Sequence, residues 1–278
     1  MIRVEQIYIY PVKSLAGIER QRATVTPQGL VGDREWMLVD QNNRFITQRK
    51  IPALASIKPS LRDNQLYLST ATMGDLPVPL PDIENKEAPR IEVKIWRDHC
   101  HVFTVADEVN AWITEAAKSE SELRLVYFDK LHQRKLDSER FGQGDFFFAD
   151  AAPFLFTNLA SLRELNKGLE HQRLVPADIR QFRPNIVLSG IEAWREHQMN
   201  QLQTASDIRF KLVDHCQRCS VINVDQDTGV VRNKGEPLKQ LATINTMPDK
   251  PKAPAFGVNT ILEKGWGKII STDEELSE

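Results

Sequence analysis

Short apolar runs separated by polar turn residues fill most of the first hundred positions of the chain. Residues 36–40 and 45–47 flank a polar tetrad, and residues 61–62 and 66–68 flank Asp63-Asn64. Both arrangements are typical of two strands joined by a turn, because Asn and Asp favour turn conformations. Many short strands with polar turns predict a barrel or a sandwich.

Helical spacing follows in the middle of the chain. Apolar residues recur there at i, i+3, i+4 and i+7, namely at Val109, Trp112, Ile113 and Ala116. This spacing places them on one face of an amphipathic helix. A second helix is predicted over residues 161–169, and the charged segment between the two, residues 129–140, is expected to be an exposed loop.

The C-terminal part returns to strand patterns, with strands predicted over residues 185–188, 208–213, 220–224 and 258–262. The fold class indicated by the whole pattern is α+β and β-rich. A domain boundary is expected near residue 123, which gives one domain over residues 1–123 and another over residues 124–272. Residues 273–278 are interpreted as a polar tail.

Composition narrows the class of protein. The chain has 278 residues, 41% hydrophobic and 27% charged, with a formal net charge of −2. This charge gives no general attraction to nucleic acid or to an anionic membrane, so an anionic ligand needs a local cluster of basic groups. The N-terminal residues do not resemble a signal peptide, and no apolar run reaches the roughly 18 to 20 residues of a membrane span. A cytoplasmic location is therefore expected.

The chain has three cysteines, Cys100, Cys216 and Cys219. A disulfide framework is not expected from so few, and an iron–sulfur cluster held by four cysteines is excluded. No glycine-rich dinucleotide fingerprint opens a helix after a strand. A redox enzyme of this sequence would therefore take its electrons from a separate protein.

Cys216 and Cys219 lie immediately before the strand predicted over residues 220–224. Arg218, together with His215 when protonated, would favour a thiolate by charge proximity. From these residues alone four interpretations stay open: two buried structural cysteines, a thioredoxin-type redox pair, a zinc site completed near His99-Cys100-His101, and a single thiolate ligand of a redox metal.

Five motifs occur in an order that resembles one family: Tyr10–Ser14, Gly32–Trp36, Phe182–Ile186, Arg218-Cys219 and Val224–Gly229. The chain resembles MOSC proteins that carry an N-terminal MOSC β-barrel extension, a group that includes the amidoxime-reducing components and YcbX-type proteins. The resemblance implies a MOSC β-barrel domain, the N-terminal β-barrel domain before it, and a few peripheral helices.

The resemblance also implies a molybdenum cofactor, which is a pterin with a dithiolene and a phosphate. Cys219 matches the metal ligand of the family and is the residue expected at the catalytic centre. The positions that match cofactor contacts are Lys13, Ser14, Arg34, Arg183, Asn185 and Arg218, and a second segment adds Asp150, Thr157, Asn158 and Ser161. Arginine suits a phosphate through paired hydrogen bonds, and an asparagine amide suits the edge of a heterocycle.

The activity implied by this family is the two-electron reduction of N-hydroxylated bases and amidoximes to the N–H product and water. The implied electron donor is a flavoprotein, a ferredoxin-like protein or a haem protein. Two other roles stay open, namely a sulfur-transfer protein that carries a persulfide on Cys219 and a carrier of the cofactor without catalysis.

Overall fold

The computed structural model describes residues 1–63, 65–85, 88–232 and 235–278. The strands are β1 (Ile2–Ile9), β2 (Ile18–Arg20), β3 (Arg22–Thr26), β4 (Gly29–Leu30), β5 (Trp36–Val39), β6 (Lys58–Arg62), β7 (Gln65–Ser69), β8 (Leu76–Val78), β9 (Arg90–Ile95), β10 (Asp98–Thr104), β11 (Arg124–Phe128), β12 (Phe154–Asn158), β13 (Ile186–Ser189), β14 (Gln201–Thr204), β15 (Arg209–Gln217), β16 (Thr246–Met247), β17 (Lys250–Lys264), β18 (Ile269–Ser271) and β19 (Glu275–Ser277). The α-helices are α1 (Asp107–Ala116), α2 (Ser138–Phe141), α3 (Leu159–His171) and α4 (Leu238–Ile244), and the 3-10 helices include Pro52–Ser56, Ile179–Phe182, Arg195–Gln198 and Ser220–Asn223.

Seven strands form a closed barrel in the order β12, β13, β1, β19, β14, β15 and β17, and β17 pairs with β12 to complete the ring. All neighbours are antiparallel except β12 and β13. Because the ring is closed, each of these seven strands has a paired neighbour on both sides. The barrel interior is filled by large apolar side chains, among them Val4, Phe156, Leu188 and Phe210.

Two further sheets form a second unit packed beside the barrel. A four-stranded sheet runs β5-β11-β10-β9, and a three-stranded sheet runs β6-β7-β8. The apolar face of α1 covers their common core, where Val109 and Ile113 are buried. The β-rich α+β class and the two predicted helices are confirmed, with α3 extending two residues beyond the prediction at each end.

Two strand predictions in the N-terminal part have different outcomes. The hairpin around residue 63 is confirmed by the pairing of Leu61 with Leu66 and of Arg62 with Gln65, while Asn64 lies outside the described residues. The strand predicted over residues 45–47 is wrong. Phe45 makes only an isolated bridge to Val39, because the next residues turn back at Thr47.

Strand pairing also bears on the expected domain limits. The segment predicted as a polar tail contains β19, which pairs with both β1 and β14, so this prediction is wrong. Leu276 is buried there, and β19 satisfies two strand edges that would otherwise be open. Near the boundary expected at residue 123, β11 pairs with β5 and β10 of the N-terminal sheet.

Two further predictions are corrected. The strand predicted over residues 220–224 is replaced by the 3-10 helix Ser220–Asn223, because Ile222 N donates to Cys219 O and Val224 N donates to Val221 O, at 3.2 and 3.1 Å. The charged segment 129–140 is not wholly exposed. The Arg134 side chain is only 3% exposed because its guanidinium is bound by Asp98 and by two backbone carbonyls.

Within the described part of the chain, no helix combines the length and the apolar character that crossing a membrane would require.

Candidate functional site

A cavity of about 360 Å³ opens where one end of the barrel meets the N-terminal unit. We call it the cysteine cavity, because both Cys216 and Cys219 line it. Its volume falls in the range of small-molecule sites. The cavity brings together eight of the residues predicted from the sequence, namely Lys13, Ser14, Arg34, Asp150, Arg183, Asn185, Arg218 and Cys219.

Three of these residues adopt left-handed backbone conformations. The φ angles are 72° at Ser14, 52° at Arg34 and 56° at Arg183. A residue with a Cβ atom loses about 1 to 2 kcal/mol in this region relative to the right-handed one. Such residues persist where the surrounding structure imposes them, often around ligand sites. At Arg183 the left-handed turn ends the 3-10 helix Ile179–Phe182 and directs the chain into β13.

Lys13 and Asp150 form an ion pair at the side of the cavity. Lys13 Nζ lies 2.6 Å from Asp150 Oδ1 and also donates to the Phe148 carbonyl at 2.8 Å. Burial lowers the pKa of Lys13 to about 8, although Asp150 favours the charged ammonium. Although the surrounding protein disfavours a charge, the Lys13 ammonium holds the pKa of Asp150 well below its usual range. The pair therefore consists of an ammonium and a carboxylate at neutral pH.

Two arginines share the ring of Tyr10. The guanidinium carbon of Arg183 lies 4.2 Å from the ring centroid, and that of Arg34 lies 4.6 Å from it. Arg34 is neutralised by Asp33, whose Oδ2 lies 2.5 Å from Nη1. Arg183 donates Nη1 to the Leu15 carbonyl, while its buried Nη2 has no partner among the described residues. Burial lowers the pKa of Arg183 to about 10, and the nearby Arg34 acts in the same direction.

Asn185 is 1% exposed, and its amide is already engaged by the protein. Its Oδ1 accepts hydrogen bonds from Arg34 Nη1 at 3.0 Å and from Leu155 N at 3.2 Å. Its Nδ2 donates to the Tyr8 carbonyl at 3.2 Å. This arrangement differs from the expected contact with a heterocycle edge, since Asn185 positions Arg34 and joins β1 to β13.

The two cysteines of the cavity have different surroundings. Arg218 Nη1 donates to Cys216 Sγ at 3.0 Å, while Cys219 is exposed and precedes the 3-10 helix Ser220–Asn223. Burial raises the pKa of Cys216, against the effect of Arg218. His215 does not line the cavity and instead stacks on His197 at 3.9 Å. Arg218 therefore favours the thiolate of Cys216 as predicted, but burial outweighs it there, and His215 does not contribute.

Three predicted residues are not brought to the cavity. Asn158 caps the N-terminus of α3, and its Nδ2 donates to Glu196 Oε2 at 3.0 Å. Ser161 Oγ donates to Glu196 Oε1 at 2.7 Å. Thr157 is fully buried on β12, and its hydroxyl has no partner among the described residues. Ser161 is thus a residue of the first turn of α3 that binds Glu196.

The zinc interpretation finds no support in the geometry. Cys100 is buried in the sheet, whereas His99 and His101 are exposed on β10. Over residues 1–63, 65–85, 88–232 and 235–278, no group of three or more His, Cys, Asp or Glu side chains is placed to hold a metal ion.

The structure also adds residues that the sequence reasoning missed. Trp96 and Arg49 line the cavity, and the Arg49 guanidinium lies 4.8 Å from the Trp96 ring centroid. Trp96 Nε1 donates to Asp150 Oδ1 at 3.0 Å. One signal was present in the sequence: a tryptophan stands in a two-residue turn between two strands, where small or polar residues are usual.

Comparison with known proteins gives two family matches. The MOSC N-terminal beta barrel domain matches residues 1–120, and the MOSC domain matches residues 143–276. The chain is 32% identical to mitochondrial amidoxime-reducing component 1 of Mus musculus over 275 residues, which cover 94% of this chain and 78% of that protein. The same protein of Homo sapiens is also 32% identical, with the same coverage. Molybdenum cofactor sulfurase of Oryza sativa subsp. japonica is 30% identical over 257 residues, which cover 87% of this chain and 31% of that protein.

Proposed function

Because this chain belongs to the MOSC family and carries the MOSC N-terminal barrel domain as well, we propose that it is a molybdenum-dependent oxidoreductase. Its proposed reaction is the reduction of N-hydroxylated bases and amidoximes. Two electrons and two protons convert each N–OH group into N–H and release one water. The names of the amidoxime-reducing relatives support this reaction. The similarity to these relatives extends over 94% of this chain and so includes both domains.

The observation that carries the proposal is an excess of positive charge beside an accessible thiol, with Lys13 buried and the three arginines partly buried. Lys13, Arg34, Arg183 and Arg218 line the cysteine cavity, but only the first two have a carboxylate partner among the described residues. A buried charge without a counter-charge is costly. An anionic ligand in this cavity would relieve that cost.

The donor set fits the molybdenum cofactor of the family. Arg183 Nη2 and Arg218 Nε are buried N–H groups without partners among the described residues, and both residues line the cavity. Guanidinium groups bind phosphate oxygens through charge-assisted hydrogen bonds. Cys219 supplies a soft sulfur donor that suits a thiophilic metal centre. In this proposal the arginines hold the phosphate and pterin, and Cys219 ligates the metal.

When bound, the cofactor would supply the two-electron chemistry at the N–O bond. The chain's own residues have supporting tasks. Asp33 and Asn185 both accept hydrogen bonds from Arg34 Nη1 and fix its guanidinium, and Asp150 keeps the Lys13 ammonium charged. The Lys13 side chain is therefore a protonated, positively charged ammonium at neutral pH.

The electrons would come from a separate flavoprotein, ferredoxin-like protein or haem protein. With three cysteines, one of them assigned to the metal, the sequence provides no four-cysteine relay, and it lacks a glycine-rich dinucleotide fingerprint. Turnover with NADH alone by the pure, molybdenum-loaded protein would contradict this assignment, and turnover with a reduced viologen dye is expected.

The test compares Cys219→Ser with Cys216→Ser in protein made in a host that synthesises the cofactor. We expect Cys219→Ser to lose amidoxime reduction while remaining folded, because an alcohol oxygen is a poorer donor to a soft metal. Cys216→Ser should keep most of the activity, since Cys216 is held by Arg218 and is less accessible. Activity in Cys219→Ser together with inactivity in Cys216→Ser would show that the ligand is misassigned.

Molybdenum and pterin content provide a second readout. Arg183→Ala removes a cation that has no carboxylate partner among the described residues, so cofactor retention should fall about ten- to a hundred-fold. Arg180→Ala is the matched control, because Arg180 lies on the 3-10 helix that ends at Arg183 and pairs with Asp178 and Asp227 at the surface. Equal cofactor content in both variants would argue against the anion site.

A sulfur-transfer role is the second candidate, supported by the similarity to molybdenum cofactor sulfurase and by the exposed thiol of Cys219. Intact mass of the isolated protein separates the candidates. A persulfide adduct on Cys219 without molybdenum would favour sulfur transfer, and full molybdenum loading without turnover would favour a cofactor carrier.

A further inference from the structure

Trp96 is a bulky aromatic residue in a position that usually suits glycine. It is the first residue of the two-residue turn between β9 and β10, where Ile95 pairs with Asp98. Its φ angle is 54°, and 44% of the residue is exposed. A positive φ at a bulky residue is a genuine outlier, and tight hairpins favour Gly or Asn at such positions. The turn therefore retains an indole at a conformational cost without gaining the burial that normally stabilises tryptophan.

The Trp96 ring is held in place by three contacts at the rim of the cysteine cavity. Its Nε1 donates to Asp150, the ring packs against Phe45 with centroids 4.9 Å apart, and the Arg49 guanidinium lies over it. Asp150 is in turn fixed by Lys13. An aromatic ring that is exposed but oriented by its neighbours is a preformed surface, so little conformational entropy is lost when a ligand binds to it.

The lining of the cavity changes in character between Trp96 and the basic cluster. Ala151, Ala152 and Leu155 contribute apolar surface, whereas Arg183 and Arg218 form the basic end that the proposed function assigns to the cofactor. A flat apolar ring matches the surface beside Trp96, while the basic end of the cavity is left to the cofactor. Aromatic rings and guanidinium planes both stack on flat heterocycles.

We propose that Trp96, with Arg49 beside it, is the specificity determinant that binds the ring of planar aromatic N-hydroxylated substrates. This inference rests on the proposed reductase function and assigns its preferred substrate class. Aliphatic amidoximes present the same reacting group but no ring, so they gain nothing from the indole.

The test uses benzamidoxime and acetamidoxime, which share the amidoxime group and differ in the ring. Trp96→Leu should raise KM for benzamidoxime about ten-fold, equivalent to about 1.4 kcal/mol, and should leave kcat and the acetamidoxime parameters within about two-fold. Trp96→Phe should retain most of the preference, because it keeps a ring and loses only the Nε1 hydrogen bond. Trp266→Leu is the matched control, since Trp266 is 67% exposed and does not line the cavity.

Two measurements keep this inference separate from the proposed function. Binding of benzamidoxime to the oxidised, molybdenum-loaded protein without reductant should weaken about ten-fold in Trp96→Leu, by calorimetry. This result would stand even if neither amidoxime were reduced, in which case only the proposed function would fail. An equal loss for both amidoximes, or unchanged binding of benzamidoxime, would overturn the inference. Loss of molybdenum and pterin from Trp96→Leu would also overturn it, because the indole would then contact the cofactor.

Discussion

Replacing Asn185 with leucine tests whether this residue organises the site from within the protein or contacts the ligand directly. Leucine has the same branching and the same number of side-chain heavy atoms but can neither donate nor accept a hydrogen bond. The variant loses the charge-assisted bond from Arg34 and leaves Leu155 N and the Tyr8 carbonyl without their side-chain partner. Because all three bonds join separate elements, both the fold and the Arg34 position should respond.

The magnitude follows from the three bonds. A hydrogen bond to a charged group contributes about 1.5 to 3 kcal/mol, and each buried polar group left unsatisfied costs about 1 to 3 kcal/mol. Arg34 keeps its contacts with Asp33 and the Arg183 carbonyl, which limits the loss. The free energy of unfolding of the protein without cofactor should therefore fall by roughly 3 to 6 kcal/mol in Asn185→Leu.

Urea denaturation of the cofactor-free protein, followed by tryptophan fluorescence, measures this loss. Asn166→Leu is a matched control, because the Asn166 amide also pairs with backbone, at Ala177, but does not line the cysteine cavity. Asn166→Leu should lower stability while preserving cofactor affinity, and Asn185→Leu should lower both. A change below about 1 kcal/mol for Asn185→Leu, combined with loss of cofactor, would refute the positioning role and restore the direct contact.

Two further predictions concern stability. Burial lowers the pKa of His197 from 6.5 to about 4, with His215 adding to the effect. The unfolded chain then binds more protons than the native one between these pH values, so about 3 kcal/mol of stability should be lost as the pH falls from 6.5 to 4. Urea midpoints at pH 7 and pH 5 should differ less in His197→Phe than in the parent, and an unchanged difference would contradict the assignment. Gly257→Ala should destabilise by roughly 2 to 5 kcal/mol, because the φ angle of Gly257 is 77° and a Cβ would lie 2.5 Å from the Phe156 carbonyl oxygen. Gly74→Ala, whose Cβ would meet nothing within 4 Å, should change the thermal midpoint little, and equal effects of the two substitutions would count against the steric argument.

Residues carried by local motifs are brought to the cysteine cavity by the structure, while their roles towards a cofactor stay a prediction. Lys13, Ser14 and Arg34 follow or enter short turns whose backbone is set within a few residues, so their position in the chain already indicates their place at a strand end. Cys219 was singled out by the family resemblance, and it lines the same cavity. The strand expected after it was wrong, because Val221-Ile222 is too short an apolar run to distinguish a strand from a helical turn.

Contacts that depend on side-chain direction could not be predicted in the same way. Arg218 lies next to Cys219 in sequence, yet its guanidinium reaches Cys216 and the Phe182 carbonyl. Asn158 and Ser161 follow a strand that leads to the cavity, but the start of α3 directs both towards Glu196. Sequence proximity indicates which elements meet and not which face of each element a side chain occupies.

The cavity is formed by both halves of the chain. The accumulation of positive charge in it therefore cannot be recognised in any one segment of the sequence. Lys13 and Arg34 come from the N-terminal half, while Arg183 and Arg218 come from the loops before β13 and after β15. On either half alone, water would solvate these cations and no counter-charge would be needed. Their burial around one cavity raises the cost of the positive charge, because a low-dielectric environment strengthens repulsion between like charges. Closing the barrel through β1 and β19 holds these groups together, so the stability of the fold is coupled to the affinity of the site for an anionic ligand.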